Sequence, residues 1–187
     1  MATSPELYAR LPHAYGVATD AHEHLQLIIS AESEANEKAW EYVYGAILHQ
    51  GTPFPAAVPF LADLIEFVQT HPDHPAAPEI AEFIAGIAEA ITGARMTMGA
   101  LRLSVPSDFE ERLFALAWQE SDDESDFWDA ALSWTLLHCA QQIPQAILAL
   151  QIVKDQTDYM ASKAAVEALD ELDAATAVLN GQDLETN

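Results

Sequence analysis

The sequence predicts an all-α fold, and three observations carry the prediction. Periodic apolar segments repeat at helical spacing, start and stop residues stand where helices need them, and no alternating Val/Ile/Thr run would make a sheet. The clearest segment is Ile80, Phe83, Ile84, Ile87 and Ile91, spaced i, i+3, i+4, i+7 and i+11, with Glu79, Glu82 and Glu89 on the other face.

Taken in order, helices are expected over 5–11, 19–32, 35–50, 55–70, 77–92, 107–120, 125–142, 144–154 and 158–179. Ser4-Pro5 supplies a cap and a first-turn proline for the first helix. Gly51-Thr52-Pro53 breaks the chain before Pro55 starts the next helix, and the turn at His71–Pro75 makes the following break. The stretch Gly93–Pro106 reads as a further break, after which Ser107-Asp108-Phe109-Glu110 has the spacing of a capping box. Ser121–Glu124 separates the next pair. Val166, Leu169, Leu172 and Leu179 give the last helix its apolar stripe, and Gly181 stops it. No break is long enough for an interdomain linker, so residues 1–187 read as one domain. Hairpin units fall at about 35–70, 77–120 and 125–154, followed by a C-terminal helix over 158–179.

Composition bounds the function. At 20.4 kDa and 50% hydrophobic, the chain can bury a sizeable core, so its acidity is not a sign of disorder. It carries 30 acidic residues against 7 basic ones, a net charge of −23. The C-terminal third is the most acidic, with 13 acids and 2 bases over residues 121–187. Such a surface repels nucleic acid and anionic membranes, both of which are bound through Lys and Arg. It would speed the encounter with a basic protein, and it would equally serve solubility or a salt-adapted host. The single Cys139 permits no intramolecular disulfide and lies in an apolar run, as a buried small hydrophobe. With no signal pattern at the N-terminus and no apolar stretch approaching 18 residues, the expectation is a soluble, cytoplasmic protein.

An internal similarity supports paired helices. Leu48-His49 followed by Pro55, Ala57, Val58 and Leu61 matches Leu137-His138 followed by Pro144, Ala146, Ile147 and Leu150, each pair offset by 89 residues. That offset is close to two periods of roughly 40–47 residues, the length of a helical-hairpin repeat. The segment Trp40–Leu64, in which His49, Gln50, Gly51 and Thr52 lead to Phe54-Pro55 and then Ala57-Val58-Pro59-Phe60-Leu61, resembles a stretch of bacterial HEAT-like repeat proteins. The resemblance implies a short stack of antiparallel helical hairpins. It brings no established activity. Many proteins of this kind look like stand-alone interaction modules, some of them immunity proteins for secreted toxins.

Candidate chemistry is sparse. In His22-Glu23-His24 the two histidines are two apart on a helix and point to different faces, and His71-Pro72-Asp73-His74 lacks a third ligand. His49 and His138 suit helix C-termini, where the dipole favours them. On a helix His138 points about 100° away from Cys139, which argues against a nucleophilic pair. Phosphate-binding loops and the Glu-x-x-His pairs of di-iron bundles are missing from the sequence. No catalytic residue, metal or cofactor is therefore expected.

Aromatics surround the densest acidic run: Trp118, Phe127, Trp128 and Trp134, with Phe127 and Trp134 on one core stripe. Trp128, flanked by Asp126 and Asp129, has the setting of a binding anchor ringed by carboxylates. Asp122, Asp123, Glu124, Asp126, Trp128 and Asp129 are the candidate partner-binding residues. The expected function is an acidic protein-binding module: an immunity protein that occludes the active site of a basic toxin such as a nuclease. The alternatives are a HEAT-like scaffold or adaptor that binds on its concave face and, third, an enzyme.

Overall fold

The structure, a computed structural model, describes residues 3–30, 33–115, 125–156 and 159–182. Among these residues helices dominate: α1 Pro5–Tyr8, α2 Ala21–Ile29, α3 Ser33–Tyr42, α4 Ala57–Thr70, α5 Ala77–Ala94, α6 Met98–Ser104, α7 Phe109–Phe114, α8 Ser125–Ala140, α9 Ile143–Gln156 and α10 Tyr159–Leu179. The protein is mostly α, with two small antiparallel pairs added. β1 (Pro12–His13) pairs with β2 (Gly16–Val17), and β3 (Leu48–His49) pairs with β4 (Thr52–Pro53).

The core forms where the sequence placed it on α5. Ile80, Phe83, Ile84, Ile87 and Ile91 are all buried, and Phe60 of α4 meets Phe83 edge-on at 5.9 Å. Each large apolar side chain so buried contributes about 1.5–3 kcal/mol. The last helix keeps most of its expected stripe, with Leu172 and Leu179 buried and Leu169 packed on the core, but not all of it. Val166 is 40% exposed, and the buried stripe of α10 is Ala161, Ala164, Ala165, Ala168, Leu172, Ala175 and Leu179. Reading only the branched aliphatics misses this face, because alanine lets two helices approach closely while carrying little hydrophobicity itself. α10 lies along α5, its principal neighbour, and also along α9, which in turn packs on α4. Where repeats touch only their sequence neighbours, a last helix would not reach so far back. Helix α10 stops where expected: Gly181 is at φ +74°, and Gln182 donates its N–H to Ala177 O at 2.9 Å.

Four local corrections follow from where backbone and side-chain groups find partners. The helix expected over 35–50 leaves α geometry after Tyr42 and ends in a π-helical turn, Val43–Ile47, closed by Leu48 N–H to Val43 O. The Ala46 and Ile47 carbonyls accept instead from Ala14 N at 3.0 Å and Phe54 N at 3.1 Å, which ties both small hairpins to this turn. The break expected at Gly51-Thr52-Pro53 is a two-residue β-turn in which Gln50 is at φ +51° and Gly51 at φ +77°. Both central residues at positive φ are the mark of a type I′ hairpin rather than of a helix cap.

The stretch read as a break at Gly93–Pro106 contains α6, capped by the Thr97 hydroxyl, which accepts from Ala100 N at 3.2 Å. The capping box at Ser107–Glu110 does not form. Asp108 is the N-cap of α7 without a side-chain bond, and Glu110 accepts instead from Trp134 Nε1 at 3.1 Å and lies 3.5 Å from His138 Nε2.

The two histidines of the internal similarity do share a feature. His49 Nδ1 lies 2.8 Å from Gly45 O and His138 Nδ1 2.8 Å from Trp134 O, each reaching back four residues. The surrounding chain differs, since a β-turn follows His49 while α8 continues past His138 to Ala140. No single described helix is long and apolar enough to cross a membrane.

Candidate partner-binding groove

Three hollows run side by side over one surface. The first, about 620 Å³, lies between β3–β4, α5 and α8, with Glu82, Glu89, Gly86 and Gly93 of α5 along its wall. The second, about 610 Å³, lies between α3 and the start of α5 and is lined by Glu37, Trp40, Glu41 and Glu79. Tyr44 borders both. The third, about 470 Å³, holds Phe54, Trp128 and Asp129 and shares Thr52, Pro53 and Leu132 with the first. The shared residues make them neighbours, and together they line one acidic groove region.

Helix geometry builds the central wall. Glu82, Gly86, Glu89 and Gly93 are spaced i, i+4, i+7 and i+11, so they fall on one stripe of α5. Carboxylates therefore alternate with positions that carry no side chain, and the wall is scalloped. A Cβ on Gly93 would meet nothing within 4 Å, whereas one on Gly86 would stand 2.8 Å from Leu48 Cδ2. Gly86 is thus where the β3–β4 hairpin seats against α5.

The electrostatics have one sign. Glu37, Glu41, Glu79, Glu82, Glu89 and Asp129 are exposed on the rim, and among the described residues no Lys, Arg or His lines the groove. Tyr44 registers the field: its phenol is pushed up to about 12, first by burial and then by the charges of Glu82 and Glu79. Its ring lies 5.9 Å from that of Trp40. Trp40 is only 8% exposed, and its indole N–H has no acceptor among the described residues.

Of the residues singled out in sequence, Asp126 and Asp129 are exposed, and Trp128 is half-buried, edge-on to Phe54 at 5.8 Å and to Phe127 at 5.3 Å. Trp128 and Asp129 reach the third hollow. Asp122, Asp123, Glu124 and Trp118 lie outside the described residues. Sequence reasoning placed Glu79, Glu82 and Glu89 on one face of α5 but did not connect them to a site. The signal was present, in the glycines at Gly86 and Gly93 on that same stripe.

The remaining histidines of the sequence motifs pack on aromatic rings, although the buried Nδ1 atoms of His22 and His24 have no hydrogen-bond partner among the described residues. His24 stacks on Tyr42 at 4.0 Å, while His22 lies near Tyr8 at 6.3 Å, so the two histidines part as their spacing required. His71 and His74 both pack on Phe67, each at 4.8 Å. Cys139 is buried, and burial pushes its thiol up to about 12, which leaves it unreactive near neutrality.

Against known proteins, the chain matches no family model, and no curated protein or solved structure is significantly similar to it.

Proposed function

We propose that this chain is an acidic protein-binding module, and that it acts in the cytoplasm as an immunity protein, neutralising a basic toxin by covering its positive active-site cleft. One observation carries the reading. With 7 basic residues for 30 acids, most carboxylates have no cation of their own chain to pair with, and the groove gathers six of them around aromatic walls. A folded surface of that kind is complementary to a Lys/Arg-rich one. The likeness of residues 40–64 to HEAT-like repeat proteins, some of which look like immunity proteins, is what suggests the immunity role.

The test begins with capture of binders on the immobilised chain at low salt. The partner should be rich in Lys and Arg, and its association rate should fall steeply as salt rises, since exposed charges are screened beyond about 8 Å at physiological ionic strength. The partner expressed alone should arrest growth, and co-expression of the chain should restore it. An association rate that is the same at low and high salt removes electrostatic steering. A partner harmless on its own removes the immunity role.

A further inference from the structure

We infer that the α5 groove is a docking channel for an extended arginine- or lysine-bearing segment of a partner protein, seated over Tyr44 and running along the glutamate–glycine stripe of α5. The inference rests on the basic-partner reading above and adds the place and form of contact.

Three features of the channel choose the occupant. The rim charges are all negative: Glu79, Glu82 and Glu89 stand along one helix with no cation beside them in the lining. Aromatic rings offer surfaces that attract cations within about 6 Å, and Tyr44 is 40% exposed at the junction of two hollows. Trp40 lines the second hollow, and its buried indole N–H has no acceptor among the described residues. A peptide main chain supplies carbonyl acceptors together with cationic side chains, whereas a free polyamine supplies only the charge. A second copy of this chain is a poor occupant, since two molecules of net charge −23 repel each other.

Gly93 gives the channel its depth. At Gly93 the space above the helix is empty, so main chain can approach α5 between the side chains of Glu89 and its neighbours. The same property makes a test that leaves charge untouched. Gly93→Leu puts a side chain into the channel at a helical position with no positive φ to strain, so the fold should tolerate it.

The probe is an acetylated, amidated peptide of glycine-spaced arginines, with its citrulline counterpart as the uncharged control. Binding is followed by calorimetry at low salt, and helicity of each variant by circular dichroism. The parent should bind the arginine peptide and not the citrulline one. Glu79→Gln, Glu82→Gln and Glu89→Gln together should weaken binding roughly tenfold, and Gly93→Leu should weaken it by a similar factor. The same number of charges removed from exposed positions on α9 and α10, by Asp155→Asn, Asp170→Asn and Asp173→Asn, should change it by less than about threefold. Spermine should displace the peptide only at a large excess. If both triple variants weaken binding equally and Gly93→Leu has no effect, the channel is overturned while a basic partner stands. If the parent does not bind the arginine peptide at all, the channel is overturned, and the basic-partner reading is decided by the captured protein alone.

Discussion

Leu48 and Gly86 meet with no room for a side chain between them: a Cβ on Gly86 would stand 2.8 Å from Leu48 Cδ2. Two effects oppose each other in Gly86→Ala. Helix propensity favours alanine by about 1 kcal/mol, and forcing an atom into a packed contact costs about 1–3 kcal/mol. Leu48 is itself buried and carries the β3–β4 hairpin, so the contact decides. Gly86→Ala should lower stability by about 1 kcal/mol in chemical denaturation, and Gly93→Ala, with open space above it, should leave it unchanged or slightly raised.

Asp63 is a nearly buried carboxylate that accepts from Thr3 N at 2.9 Å and 3.1 Å and from the Tyr8 hydroxyl at 3.1 Å. Tyr8→Phe should cost about 1.5–3 kcal/mol at neutral pH, as for a lost bond to a charged group. Burial, then the Asp63 charge, raises the Tyr8 phenol far above its ordinary value. A raised folded-state value gives stability that is complete below the unfolded value of about 10 and is lost as pH rises beyond it. Stability should therefore fall above pH ~10, and Tyr8→Phe should remove about one proton, ~1.4 kcal/mol per pH unit, from that slope.

His13 should behave in the opposite sense. Its Nδ1 accepts from Tyr15 N at 3.0 Å, which an imidazolium cannot do. Burial lowers its pKa, while Asp20, 3.9 Å from Nε2, opposes the shift, and Tyr42 and Tyr15 complete its surroundings. A lowered folded value means its contribution is complete above about pH 6.5 and is lost as pH falls through the folded value. In an NMR titration His13 should therefore titrate below a histidine in an unfolded peptide. A midpoint at or above the ordinary value would show that Asp20 outweighs burial.

Glu110 joins α7 to α8 by accepting from Trp134, which is 4% exposed. Glu110→Ala should cost about 1 kcal/mol, because it strands the indole N–H. Glu110→Gln keeps an acceptor and should cost less than half as much. Equal losses would mean that the His138 contact, and not the indole bond, holds the two helices.

What could be read from the sequence was what repeats. The branched side chains of α5 fix a period, so that helix and its buried face were legible. The alanine face of α10 was not, because alanine marks an interface only when the opposing helix is known. The Ser107–Glu110 box failed for a related reason: Trp134, far along the chain, competes for Glu110. Gln50 and Gly51 show the limit for turns, since a left-handed glycine ends a helix or makes a hairpin depending on where Ala14 and Phe54 find acceptors. The groove was half legible. The glutamate stripe was seen, but Tyr44 and the Pro53 hairpin reach it only through the tertiary fold.

The α5–α10 seam sets an order of events during synthesis. α5 is complete at Ala94, but the helix that covers it begins only at Tyr159. At about 5–20 residues per second, the ribosome needs several seconds to make the intervening chain. Through that interval the isoleucine face of α5 waits without its main cover, and closing the seam requires a contact distant in sequence, which is slow to form. A nascent chain stalled before α10 would present that face to chaperones, or to other chains.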